Sequence, residues 1–296
     1  MNTDILRSHE SLVIDVGGTH TDVHLAHAHS DMFSERSYSL PTPPSSKGII
    51  ETLGRIIHSS SPRSSVLIGV PGPLRSCSNS VFCPPLGFAL HKADFTALAT
   101  PDRQISVVND LACLASMFLS KSLNGTYNNT VLVTIGTSLG LAKISQIDSI
   151  AIVDTYESAH SRLSHSVSLN IAPFEAKQSP AYARDILNAS YLICMYESTC
   201  AADKESQYWN YFLPCIFEEL LDIIVPFQPI DNLLIYGGFV EWLHSEGLVY
   251  NASSIIRQLL ASTSRFTEVD FLSKQDCLAA KIVTPFNTLV LNKWSI

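Results

Sequence analysis

The sequence predicts an α/β protein built as two lobes of similar design. Three observations predict it. Strand-like and helical patterns alternate along most of the chain, and the second half repeats the order of the first: strand, glycine turn, strand, then helices. The third is length, since 296 residues are enough for two separate cores. Residues 1–10 read as a flexible tail, 11–112 as the N-terminal lobe and 113–296 as a larger C-terminal lobe.

Taken in order, short apolar or alternating runs mark strands at 11–15, 20–26, 65–70, 105–108, 131–135, 140–145, 149–153 and 232–236. Helical spacing is clearest in 46-SKGIIETLGRIIHS-59, where Ile49, Ile50, Leu53, Ile56 and Ile57 share one face. Further helices are expected after Asn109, over roughly 179–198, and from Pro214 to Val225, where proline suits the first turn. The segments 40-LPTPPSS-46 and 121-KSLNGTYNN-129 read as connections.

Composition narrows the function. Hydrophobic residues make up 46% and charged residues 16%, as in an ordinary globular chain. A formal charge of −8 argues against nucleic acid as a partner, because phosphate backbones are bound by surplus Lys and Arg. No basic and apolar leader and no apolar run of membrane-crossing length is visible, so a cytoplasmic protein without a membrane partner is expected. The seven cysteines contain no CxxC pair, which suits reduced thiols better than disulfides or zinc. On that reading the sequons at Asn124, Asn128, Asn188 and Asn251 are chance matches.

Four stretches carry chemistry. In 11-SLVIDVGGTHTDVHLA-26, Asp15 ends a buried strand and is followed by two glycines. A carboxylate there is costly unless something uses it, and Gly-Gly-Thr lets backbone approach a ligand closely. Such a hairpin can hold nucleotide phosphates while the Asp faces magnesium; an ordinary Asp-Gly-Gly turn gives the same letters. A second hairpin of this type is 131-VLVTIGTSLGLAKI-144. In 105-ISVVNDLACLASMF-118, Asn109-Asp110 stands where a strand meets a helix. Either residue is a good helix cap, and an Asp at that place is also where a general base for an attacking alcohol belongs. In 232-NLLIYGGFVEWL-243, Gly237-Gly238 lets a flat adenine or ribose lie against backbone, or simply makes a turn of positive φ.

The ordered set DVGGT, 66-VLIGVPGPL-74, 107-VVNDLACLA-115, 134-TIGTSLG-140, 157-ESAH-160 and 235-IYGGF-239 resembles the bacterial glucokinases and ROK sugar kinases, from about residue 11 to 245. The resemblance implies the actin-like (ribonuclease H-like), hexokinase-type fold with an interlobe ATP and sugar cleft. It implies an ATP-dependent kinase that phosphorylates the 6-hydroxyl of a hexose or amino-hexose such as glucose, glucosamine or a kanosamine-like sugar. Carried over by position, Asp15 would contact Mg²⁺ through water, and Gly17, Gly18 and Thr19 would hold phosphates. Gly136, Thr137 and Gly140 would form the second phosphate loop, and Gly237 and Gly238 would lie by the adenosine. Asp110 would be the catalytic base, with Asn109 beside it on the sugar ring and Glu157 and His160 on the sugar hydroxyls. A surface position for His160 in a Ser-rich loop is the other reading. The dimer common in that family is left open by these residues, and no structural zinc is expected, because the family's cysteine-rich motif is missing.

The departures shape the alternatives. Asp22 stands where those kinases often carry Arg or Lys, so that GGTHTD alone looks like the hydantoinase and oxoprolinase group. Pro85 falls where the family has a sugar-contacting Asn, and Arg184 where it has a Glu, in the best register. A non-catalytic sugar sensor of the same fold and a kinase for a non-sugar alcohol therefore stand beside the leading reading.

Overall fold

The computed structural model describes residues 9–18, 20–29, 32–60, 65–72, 95–98, 105–115, 129–147, 150–156, 158, 161–163, 182–263, 268–273 and 289–291. The chain divides into two compact units, one of residues 1–120 with 281–296 and the other of residues 121–280.

The first unit is organised on a five-stranded mixed sheet. Its strands are β1 (His9–Val16), β2 (His20–His29), β3 (Met32–Pro41), β4 (Ser65–Val70) and β5 (Ile105–Asn109). Their order is β3-β2-β1-β4-β5. Strands β1, β2 and β3 form an antiparallel meander, whereas β1, β4 and β5 run parallel. Successive side chains of a strand point to opposite faces, and β1 uses both. Leu12, Ile14 and Val16 pack with Val66, Ile68 and Val70 against the helix Ser46–Ser59, which presents Ile49, Leu53, Ile56 and Ile57 as its spacing foretold. Ser45 caps that helix by accepting from the Gly48 amide at 3.1 Å. Asp15 is the next position of the other face.

Strand β3 was not foreseen in the sequence. Its residues, MFSERSYSLP, are mostly polar. Among the described residues it pairs on one side only, with β2, and an edge strand needs no continuous apolar pattern.

The second unit repeats the scheme. Its strands are β6 (Thr130–Ile135), β7 (Leu139–Ile147), β8 (Ile150–Tyr156), β9 (Asn232–Tyr236) and β10 (Glu268–Phe271), the last also unforeseen. In its sheet they follow the order β10-β9-β6-β7-β8. Here β6, β7 and β8 are the antiparallel meander, and β6, β9 and β10 run parallel. Val131, Val133, Ile135, Leu233 and Ile235 pack with Phe217, Leu220, Phe239, Leu243 and Ile256 in one large core.

The single helix expected over 179–198 is two. A short turn of helix, Ala183–Ile186, ends before Asn188, and a second helix, Ala189–Ala201, starts there. Asn188 explains the break: its side-chain oxygen accepts from the Tyr191 amide at 2.8 Å, and its amide donates to the Arg184 carbonyl at 2.8 Å. An Asn that satisfies both ends makes a cap more favourable than continuation. The helix near Pro214 runs Leu213–Ile224 and follows a π-helical turn, Tyr208–Phe212.

Candidate functional site

In the first unit the strand register assembles one row of residues across the sheet. Asp15 pairs with Asp22 of β2 and with Gly69 of β4, and Gly69 pairs with Val108 of β5. Paired residues project to the same face, so two carboxylates stand side by side next to a position without a side chain. Onto that face comes the start of the helix over residues 110–115, which follows β5 directly. A Cβ on Gly69 would lie 2.7 Å from Cys113 Cβ and 3.2 Å from Asp110 Cα, so Asp110 is set beside the row.

The electrostatics of this group are unfavourable in the free protein. Asp15 Oδ1 is shut off from solvent and has no hydrogen-bond partner among the described residues, although the residue as a whole is partly exposed. Burial pushes its carboxyl pKa up to about 8, and the neighbouring Asp110 and Asp22 carboxylates push in the same direction. Burial also raises the Cys113 thiol well above its usual range, helped by Asp15 and Asp110, while a hydrogen bond with the Gly69 backbone works the other way. A thiol of that kind is inert packing rather than a nucleophile.

A divalent cation fits here. The orphaned Oδ1 offers an acceptor, and positive charge would relieve the repulsion among the carboxylates. Among the described residues no group of three or more His, Cys, Asp or Glu could hold a metal alone.

Asn109 and Asp110 share the helix start. The Leu111 amide donates to Asn109 Oδ1 at 3.0 Å and to Asp110 Oδ1 at 2.8 Å, and Asn109 Nδ2 donates to the Gly72 carbonyl at 3.2 Å. Asn109 thus caps the helix and ties it to the VPG turn, where Gly72 takes a positive φ of 88°. The capping reading of Asn109 holds in this structure.

The hairpin after β1 closes through the Gly17 amide, which donates to the His20 carbonyl at 2.9 Å. A Cβ on Gly17 would stand 2.8 Å from that same carbonyl oxygen, so the turn itself requires glycine. Gly18 is exposed, and Thr19 lies outside the described residues. One contributor had no signal in the sequence. Thr42, in the segment read as a plain connection, donates its hydroxyl to the Gly17 carbonyl at 2.9 Å and lies 3.0 Å from the Thr21 hydroxyl. Only the antiparallel pairing of β2 with β3 brings residue 42 to the hairpin, and β3 was the strand that its polar sequence concealed.

In the second unit three predicted elements meet. The hairpin between β6 and β7 turns over Gly136, Thr137 and Ser138, with Thr137 exposed and Gly140 paired to Thr134. The Gly136 carbonyl accepts the amide of Ala189, the first residue of the helix capped by Asn188. Gly238 lies against Ala189 too, a Cβ there coming 3.4 Å from the Ala189 side chain. Gly237 has φ 113°, and a Cβ on it would meet the Ile135 carbonyl oxygen at 2.7 Å. The strand-to-helix turn therefore needs a glycine for both conformation and space. By contrast, a Cβ on Gly136 would meet nothing within 4 Å. Exposed backbone at the hairpin, a helix N-terminus and a glycine corner together make a surface suited to phosphate and nucleoside.

Glu157, His160 and Pro85 lie outside the described residues; of 157–160 only Ser158 is described, and it is buried. Arg184 is exposed, 3.7 Å from Asp185 and with its guanidinium 5.2 Å from the centre of the Tyr182 ring. No helix among the described residues is long and apolar enough to cross a membrane.

Comparison with known proteins bears on the fold. No curated protein matches the chain. Among solved structures, a glucokinase from an Antarctic psychrotroph is 17% identical with a TM-score of 0.63, covering 93% of this chain and 98% of its own. The glucokinase of Balamuthia mandrillaris, solved with glucose, is 14% identical with a TM-score of 0.61, covering 95% and 94%. A ROK family glucokinase from Streptomyces griseus, solved with glucose and AMPPNP, is 13% identical with a TM-score of 0.56, covering 84% and 90%. At such identities the likeness establishes the fold, the two-lobed α/β architecture of the actin-like, hexokinase-type proteins. Residues 11–150 match the ROK family model, and the chain carries the fold of the ROK-type glucokinases over nearly its whole length.

Proposed function

We propose that the protein is an ATP-dependent sugar kinase that transfers the γ-phosphoryl group to the 6-hydroxyl of a hexose or amino-hexose. The observation that carries this reading is the pairing of roles around Gly69. A buried Asp15 oxygen without a partner lies next to an Asp110 presented at the start of a helix. A protein that only bound sugar would have no need of a general base set beside a buried carboxylate. The similar solved structures support the class, since they are glucokinases and one of them holds both glucose and AMPPNP.

In this reading Asp110 accepts the proton of the sugar hydroxyl as its oxygen bonds to the γ-phosphorus. The bond to the β,γ-bridging oxygen breaks, and ADP leaves. Asp15 would hold Mg²⁺ through water; when bound, that ion neutralises phosphate charge. In the first unit the backbone at Gly17 and Gly18 lies open to phosphates, with Thr19 alongside in the sequence. In the second unit Gly136 and Thr137, followed by Gly140 in β7, offer phosphate contacts, and Gly237 with Gly238 offers a surface for adenosine. Glu157 and His160 are assigned to the sugar hydroxyls by resemblance, with Asn109 fixed beside the base by its bonds to Gly72 and Leu111. The composition supports a soluble enzyme working in the cytoplasm, and the resemblance supports a small sugar as substrate and a homodimer as one assembly.

The test is ATP turnover with magnesium over hexoses, amino sugars and non-sugar alcohols, comparing wild type with Asp110→Asn. The expected result is turnover that depends on one sugar and falls by about 10²–10⁴-fold in the variant. If no alcohol stimulates turnover while a sugar still raises the melting temperature, the protein is a sensor and the kinase reading is wrong.

A further inference from the structure

Gly69 stands where nothing in the local backbone demands glycine. It lies inside β4 with regular pairing on both sides, to Asp15 and to Val108, and its φ is not positive. Glycine inside a strand weakens it and marks a close approach of something else. What approaches is the start of the helix over residues 110–115. A Cβ on Gly69 would be 2.7 Å from Cys113 Cβ, 3.2 Å from Cys113 Sγ and 3.2 Å from Asp110 Cα. Neither a Cβ nor a Cα can swing aside like the tip of a long side chain, so any residue larger than glycine must move the helix itself. The helix start is buried beyond that contact too, at Leu111, Ala112 and Ala115, so a shift would disturb its other packing.

We propose that Gly69 is a positioning residue for phosphoryl transfer: its missing side chain lets the helix start settle onto the sheet and sets Asp110 beside Asp15. The inference rests on the reading of Asp110 as the base. It accounts for two features together, a glycine in mid-strand and a small buried thiol one turn into the helix. Cys113 is the partner surface of that contact, and the helix rests on Gly69 through its Cβ. The spacing of the two aspartates is then set by how closely the helix start packs on β4.

The experiment is steady-state kinetics with MgATP and the most active hexose, on Gly69→Ala, Cys113→Gly, Cys113→Ala and the two double variants, with melting temperatures alongside. Displacing the base lowers kcat of Gly69→Ala by about 10–100-fold, since a misplacement near 1 Å has effects of that order. KM for ATP stays within about threefold, because the phosphate hairpins are not displaced. Adding Cys113→Gly to Gly69→Ala removes the two Cys113 atoms, including the 2.7 Å collision, and leaves only the milder 3.2 Å approach to Asp110 Cα. It restores kcat to within about threefold of Cys113→Gly alone. Adding Cys113→Ala leaves the 2.7 Å collision in place and restores nothing. If Gly69→Ala does not fold, the double variant with Cys113→Gly, compared with the one carrying Cys113→Ala, decides the question. A kcat for Gly69→Ala within twofold of wild type overturns the proposal, as does failure of Cys113→Gly to relieve it. Asp110→Asn keeps the two readings apart. Undiminished turnover in that variant removes the base itself, whereas an inactive Asp110→Asn beside a fully active Gly69→Ala removes only the positioning role.

Discussion

In the first unit a meander of three antiparallel strands continues into two parallel ones in the order β3-β2-β1-β4-β5, and in the second the same path reads β8-β7-β6-β9-β10. Each unit turns its first hairpin over glycine, and the equipment on that frame then differs. One position before the end of β1 stands Asp15, facing Asp22; one position before the end of β6 stands Thr134, facing Gly140. The first hairpin carries ionisable groups held unfavourably by burial and mutual repulsion. The second carries only backbone, hydroxyl and glycine, packed against a helix N-terminus. A repeated frame has been equipped differently, with neighbouring carboxylates on one copy and neutral groups on the other.

The largest test of that contrast replaces Asp15 by Asn. Turnover should fall by about a hundredfold or more, the scale for losing one charge-stabilising group. Stability should move the other way, and the sign follows from the folded pKa. Asp15 titrates near 8 in the fold, whereas an unfolded Asp titrates near 3.8. The folded state therefore holds the extra proton between these values, and its stability declines as pH rises from about 4 to about 8 and is level above. Asp15→Asn removes that decline, so in metal-free buffer its melting temperature should gain on wild type through this window. Thr134→Val in the second hairpin should show no such pH-dependent gain. Equal pH profiles for wild type and Asp15→Asn would mean that Asp15 is solvated and that the two hairpins do not differ as argued.

The glycines give the next contrast. Gly237→Ala meets both a positive φ and the Ile135 backbone at 2.7 Å, and should cost about 3 kcal/mol or more. Gly17→Ala, 2.8 Å from the His20 carbonyl, should cost about 1–3 kcal/mol. Gly136→Ala enters open space and should leave stability within about 0.5 kcal/mol while raising KM for ATP several-fold. Urea denaturation and ATP kinetics separate the two kinds of glycine. A marked loss of stability in Gly136→Ala would show that this glycine, too, serves the fold.

Much of this was legible in the sequence because it rests on local pattern. The apolar stripe of Ser46–Ser59 and the short runs of β1, β4, β6 and β9 state their own structure, and the two glycine hairpins announce themselves by composition. What was hidden depends on neighbours distant in the chain. Strand β3 is polar because it lies at an edge, and Thr42 matters only because β3 delivers it to Gly17. The role of Gly69 needed the register of three strands and the packing of a helix, none of which the letters VLIGVPGPL contain. Asn188 was missed as a helix boundary because it sits within a run that helical spacing would carry straight through.

The smallest expected effect concerns how each hairpin is held from outside. The Gly136 carbonyl receives the backbone amide of Ala189, a bond that no side-chain substitution removes cleanly. The Gly17 carbonyl instead receives the Thr42 hydroxyl at 2.9 Å, and that hydroxyl also lies 3.0 Å from Thr21. Thr42→Val keeps the shape and deletes the donor. It should lower stability by about 1 kcal/mol, the usual net value of one such hydrogen bond. If the bond also fixes the amides around Gly17 for a phosphate, KM for ATP should rise a few-fold with kcat nearly constant. Loss of stability without a change in KM would make Thr42 a brace for the turn alone. No loss of either would mean that the first hairpin is held by its own bond from Gly17 to His20, and the two hairpins would then differ in what they carry but not in how they are anchored.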